Sequence, residues 1–177
     1  MKITTKKTEV LANESEQRNL IESALKEWAK SRGFNEEITY NSKHDVMCLR
    51  REIKIQEHDY ICHVMGSPKD MMLGVSLAPL GAILSEEELD AVQKWTLLRN
   101  QESQTGCFSV FDGDIFKLFY FQSINFTGAK HIETVLIENM FTDAVSAYEE
   151  FGAEYYELVQ LSQAHDFIEY SLLPHVQ

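Results

Sequence analysis

The 177-residue chain is 44% hydrophobic and 25% charged, a composition typical of a globular domain and unlike that of disordered, fibrous or membrane proteins. Its 16 Lys and Arg stand against 28 Asp and Glu, and the resulting net charge of -12 disfavours nucleic acid and anionic membrane surfaces as partners. The longest uncharged stretch, residues 71–85, contains two glycines and a proline and is too short for a transmembrane helix.

The first predicted element is an amphipathic helix over about residues 14–32. Its apolar residues recur at three- and four-residue spacing and form one stripe that faces a core: Leu20, Ile21, Ala24, Leu25 and Trp28. Asn13 followed by Glu16 resembles a capping arrangement at its start, and Gly33 stands where a helix C-terminus favours a left-handed residue. Residues 1–13, which contain the only cluster of lysines, are interpreted as a solvated N-terminal tail.

Between Ile38 and Leu80 the periodicity of the sequence changes to two, which is typical of strands. One predicted face holds Met47, Leu49, Arg51 and Ile53, and the other holds Val46, Cys48, Arg50 and Glu52. Polar breaks at residues 56–59 and 67–70 divide the segment into three antiparallel strands, and Ile38 with Tyr40 indicates a further short strand before them.

Two further elements follow in the middle of the chain. Residues 85–88, Ser-Glu-Glu-Glu, form a capping box that predicts a second helix ending near Asn100. Residues 107–111 and 115–123 are rich in β-formers and flank the tight-turn sequence Asp112-Gly113-Asp114, which predicts a hairpin.

A long amphipathic helix is predicted over residues 130–151, where Gly152 ends or bends it. Residues 152–177 are interpreted as a C-terminal helical extension that packs on the domain or on a partner, and Pro174 stops regular structure. The predicted fold class is α+β, an antiparallel sheet flanked by helices in the order α-β-β-β-α-β-β-α, within a single domain of residues 14–151.

This order of elements resembles the YbjN-type sensory transduction regulators of bacteria, whose fold is similar to that of type III secretion chaperones. The resemblance is carried by residues 73–77, 95–100 and 105–114, and by the long helix after them. The most specific positions are Asn100, Gly106, Phe108 and the Asp112-Gly113 tip. The resemblance implies a non-enzymatic protein that dimerises and binds other polypeptides.

The cysteines predict a cytoplasmic protein without a metal, a cofactor or a structural disulfide. Cys48, Cys62 and Cys107 form an odd set without CxxC spacing, which favours free thiols in a reducing compartment, and the N-terminus leads into no apolar signal segment. Cys62 and His63 are consecutive strand residues that point to opposite faces, so they do not close one metal site. No nucleophile-elbow, zinc-protease or phosphate-loop motif occurs, and no catalytic residue is assigned.

The second strand of the hairpin is apolar on both of its faces. Alternation places Phe116, Leu118 and Tyr120 on one face and Ile115, Lys117, Phe119 and Phe121 on the other. The long helix covers only one face of a sheet, and a lysine is easier to keep at a rim than in a core. The set Ile115, Lys117, Phe119 and Phe121 is therefore predicted to contact a second chain or the C-terminal extension.

The leading functional hypothesis is a protein-binding module, chaperone-like or regulatory, that acts as a homodimer with a partner of unknown identity. Its basis is the apolar hairpin on an otherwise acidic chain. An alternative remains open at this stage, an enzyme or small-ligand receptor with an unfamiliar site between the helices and the sheet.

Overall fold

The structure, a computed structural model, describes the backbone of residues 3–81, 84–103, 105–111 and 117–172, and nearly all side chains in these ranges between residues 15 and 159. Within these ranges the elements follow the predicted order. The helices and strands are α1 (Ile3–Ser31), β1 (Thr39–Asn41), β2 (Val46–Ile55), β3 (His58–Ser67), β4 (Met72–Pro79), α2 (Glu86–Glu102), β5 (Cys107–Phe111), β6 (Lys117–Asn125) and α3 (Thr134–Leu172).

The six strands form one antiparallel sheet in the order β1-β2-β3-β4-β6-β5. The first four strands are a meander, as predicted, and the short strand expected near Ile38 and Tyr40 is β1. The chain then crosses through α2, so that β6 pairs with β4 and β5 becomes an edge strand. The predicted α+β class, an antiparallel sheet flanked by helices, is confirmed.

One face of the sheet and the helices enclose the core. The Tyr148 hydroxyl of α3 donates a hydrogen bond to the Leu77 carbonyl of β4, and Trp95 of α2 packs edge-on against Phe108 of β5. Trp28 of α1 packs against Phe141 of α3 and thereby joins the two helices. The largest fully buried side chains all belong to this layer: Trp28, Tyr60, Tyr120, Tyr148, Tyr155, Phe108, Ile21, Leu25, Leu49, Leu73, Leu77 and Leu118.

Helix α1 is longer than predicted at its N-terminus. It begins at Ile3, so that Asn13 lies inside the helix and does not cap it. An interior Asn costs only a fraction of a kcal/mol, which lets the helix continue through this position. The C-terminal end agrees with the prediction, because α1 ends at Ser31 and Gly33 has a φ of 70°. The division of the chain at residues 13 and 152 remains a prediction, and α1 and α3 cross both boundaries.

Helix α3 begins at Thr134, four residues later than predicted, and the expectation that it ends or bends at Gly152 is wrong. It continues through Gly152 to Leu172. A Cβ atom at position 152 would lie 3.3 Å from the Tyr60 hydroxyl, so glycine allows the helix to approach β3 closely. The described start of the extension packs on its own domain, since Tyr155 is fully buried and Tyr156 stacks on His58 with 3.6 Å between ring centroids.

The capping box at the start of α2 is confirmed, with Ser85 accepting from the Glu88 amide and Glu88 accepting from the Ser85 amide. The predicted hairpin is confirmed as β5 paired with β6. Its turn, including Asp112-Gly113-Asp114, lies outside the described residues.

Three residues that carried the family resemblance close the edge of the sheet at β5. The Asn100 side chain donates to the Phe108 carbonyl at 2.8 Å and accepts from the Phe108 amide at 2.7 Å, which occupies the backbone groups that an added strand would use. A Cβ atom on Gly106 would lie 2.4 Å from the Tyr120 ring, and the Gly106 amide donates to the Tyr120 hydroxyl. A brace between α2 and β5 therefore explains why these residue types stand at these positions.

Candidate protein-binding face

The second face of the sheet, which we call the open face, is formed by the strand residues that point away from the helices. Among the described residues no helix packs on it, and its side chains are exposed or half-buried, except for the buried Gly74. Its central members are Cys48, Arg50, Glu52, Ile61, His63, Met65, Gly74, Ser76, Ala78, Lys117, Phe119 and Phe121.

The alternation predicted for β6 is present in the structure. Leu118 and Tyr120 are each 1% exposed and face the helices, whereas Lys117, Phe119 and Phe121 are half-buried on the open face. Ile115 and Phe116 lie outside the described residues. The structure therefore places three of the four predicted contact residues together, on the face that the helices leave uncovered.

A ridge and a trough lie side by side on the open face. Phe119 and Phe121 of β6 form the ridge, and Gly74, Ser76 and Ala78 of the neighbouring strand β4 form the trough. The Phe121 ring leans over the first trough position, because a Cβ atom on Gly74 would lie 2.9 Å from it. Met65, His63 and Ile61 of β3 form the opposite wall.

The sequence interpretation missed this trough. The signal was present as small residues at every second position of β4, between Leu73, Val75 and Leu77. It could not be recognised without the strand order, because only the pairing of β4 with β6 sets the small residues next to Phe121.

Charge is distributed unevenly between the open face and the helix layer. The open face carries Arg50, Lys54 and Lys117 against Glu52 and Asp59, with a loose 3.8 Å pair between Arg50 and Glu52. Within the described ranges neither Lys54 nor Lys117 has an ion-pair partner. Helix α3, in contrast, has no Lys or Arg in 39 residues and contains these acids: Glu138, Asp143, Glu149, Glu150, Glu154, Glu157, Asp166 and Glu169.

The titratable groups near the centre of the open face favour their neutral forms. Partial burial, with a smaller contribution from Arg50, lowers the pKa of His63 below its ordinary value of 6.5. Burial also raises the pKa of the Cys48 thiol. On the helix side, burial raises the pKa of Cys62 to about 12. Neutral side chains suit an apolar contact surface better than a reactive one.

The proposed combination of cysteines with His63 is separated by the sheet itself. Cys48 and His63 lie on the open face, and Cys62 points into the core, as the alternation of β3 predicts. All three cysteines are free thiols. In the part of the chain that the structure describes, no three His, Cys, Asp or Glu side chains are grouped closely enough to hold a metal ion.

Comparison with known proteins identifies the fold. One chain in the crystal structure of the ExsC-ExsE complex superposes with a TM-score of 0.52 at 13% identity, over 74% of this chain and 90% of that one. The crystal structure of YbjN from E. coli, a candidate transcription regulator, gives 0.49 at 13% identity, over 75% and 91% of the two chains. The predicted resemblance is thus confirmed as one of fold.

The sequence itself matches no family model, and no curated protein is similar enough to count as a relative. Among the described residues, no helix combines the length and apolarity that crossing a membrane requires.

Proposed function

We propose that this protein is a non-enzymatic protein-binding module, chaperone-like or regulatory, that acts as a homodimer and contacts another chain through its open face. The observation that carries the proposal is a strand with apolar residues on both faces and helices on only one, at Phe119 and Phe121. Fully burying a Phe side chain contributes roughly 2–3 kcal/mol, which the folded single chain leaves partly unused here.

The similar fold adds limited support for a protein partner. The ExsC-ExsE structure is a complex of two proteins. Fold similarity at this identity carries no partner over to this chain, so the proposal rests on the chemistry of the open face.

The packing between helices and sheet favours binding over catalysis. This interior is filled by aromatic rings, including Tyr60, Tyr148 and Tyr155, rather than by convergent polar groups. Burial raises the pKa of all three tyrosines above the ordinary value of 10, which makes them poor acids and bases at neutral pH. We therefore propose no cofactor, and a reducing cytoplasm suits the three free thiols.

Phe119→Lys tests the proposal, with Leu97→Lys as a matched control. Leu97 is 66% exposed on α2, so the control adds the same charge away from the open face. We expect both variants to keep the circular dichroism of the wild type, because neither position is in the core. Only Phe119→Lys should lose its bound chain, measured by light scattering and by capture from an extract of the native organism.

Two results would contradict the proposal. If Phe119→Lys stays folded with unchanged mass and unchanged capture, the open face is not the contact surface. A robust thermal shift with a metabolite, retained in Phe119→Lys, would favour the small-ligand receptor instead, because a ligand that binds the native state stabilises it.

A further inference from the structure

We infer that the occupant of the open face is a second copy of this chain, with the aromatic ridge of each copy seated in the small-residue trough of the other. This inference rests on the proposed function and gives it a geometry. Its first support is the juxtaposition of Phe119 and Phe121 on β6 with Gly74, Ser76 and Ala78 on β4. A knob beside its own socket is self-complementary under a two-fold axis, since each copy then supplies one ridge and one trough.

The size of the face is sufficient for such a contact. Six strands about 4.8 Å apart, with roughly six residues each at about 3.3 Å, give a surface on the order of 600 Å² per copy. Two copies would therefore bury about 1,200 Å², the lower limit of specific, stable interfaces. The side chains would interdigitate across a gap of about 10 Å between the sheets.

Charge favours this face over the helix layer. Each copy carries a net charge of -12, so association must keep the acidic surfaces apart. Contact through the open faces leaves both α3 helices, which lack Lys and Arg, on the outer sides of the dimer. Contact through the helix layers would instead bring these helices together.

The rim of the open face is also complementary to itself. Lys54 and Lys117 have no ion-pair partner within the described part of one chain, while Glu52 and Asp59 lie on the same face. A two-fold arrangement presents the carboxylates of one copy to the lysines of the other, whereas a uniformly charged face would repel its copy.

The test uses two variants that each remove one half of the ridge-and-trough contact. Ser76→Phe fills the trough and leaves the ridge, and Phe119→Ala shortens the ridge and leaves the trough. Both positions are half-buried on the open face, so the fold is expected to survive. Each variant alone should dimerise about tenfold or more weakly than the wild type, measured by analytical ultracentrifugation. Leu98→Phe on α2, at a residue 56% exposed, is the control and should dimerise like the wild type.

The mixture of the two variants is the decisive sample. The ridge of Ser76→Phe fits the trough of Phe119→Ala, and the shortened ridge faces the filled trough, so an equimolar mixture should recover association that neither variant has alone. Wild-type dimerisation in both single variants, or no recovery in the mixture, would overturn the inference. A monomeric wild type would overturn it as well. Loss of a captured heterologous chain in Phe119→Lys would then still support the open face as a protein-binding surface.

Discussion

The two faces of the sheet differ in what covers them, although both are apolar at β6. On the helix side, Leu118 and Tyr120 are buried by α2, α3 and their aromatic neighbours within the same chain. On the open side, Phe119 is left half-exposed one residue away on the same strand. The difference teaches that apolar alternation identifies which residues need cover, while the helix count decides which of them must find it in another chain.

The largest effect should separate two adjacent residues of β6. Leu118→Ala removes a fully buried side chain and leaves a cavity, so we expect a loss of about 2–5 kcal/mol in the free energy of unfolding. Phe119→Ala should cost less than about 1 kcal/mol in the dissociated chain. Urea denaturation at low protein concentration measures both. Equal losses would mean that the two faces are buried alike and would break the comparison.

A smaller effect is expected at the closed edge of the sheet, where the chain supplies its own cover. Asn100→Ala leaves the amide and the carbonyl of Phe108 without partners, which should cost about 1–3 kcal/mol. Gln101→Ala, one residue along on the exposed side of α2, should be close to neutral. Thermal unfolding of both variants checks this, and similar melting temperatures would show that the brace contributes nothing.

The smallest effect concerns the pH dependence of His63 on the open face. Because its folded pKa lies below 6.5, the unfolded chain takes up the proton first as the pH falls. Its contribution to stability is therefore complete above pH 6.5 and is lost as the pH falls through the folded pKa. His63→Gln should lose less stability than the wild type between pH 7.5 and 5, measured by urea denaturation. An NMR titration that places the His63 pKa above 6.5 would contradict the assignment.

Local sequence rules recovered most of the fold. The period-two pattern of Met47 to Ile53 fixed the faces of β2, and the capping box at Ser85 fixed the start of α2. The rules failed at Gly152, where a residue read as a helix terminator is required by the approach of Tyr60 from a strand ninety residues away in sequence. Tertiary contact outweighs local propensity at such positions.

The candidate site was predictable only in part for the same reason. The alternation of β6 was sufficient to group Lys117, Phe119 and Phe121. The trough of Gly74, Ser76 and Ala78 depends on β4 and β6 being neighbours, although α2 and β5 separate them along the chain. A pairing across such a connection is not encoded in the periodicity of either strand.

Side-chain footprinting with hydroxyl radicals tests most directly the central claim, that another chain covers the open face. The modification rates of Phe119 and Phe121 are compared between dilute and concentrated protein, with exposed Leu97 and Leu98 of α2 as the reference. The account predicts that both phenylalanines become protected as the concentration rises while the two leucines stay equally reactive. Unchanged rates at Phe119 and Phe121, with protection at Leu97 and Leu98, would contradict it and assign the contact to α2.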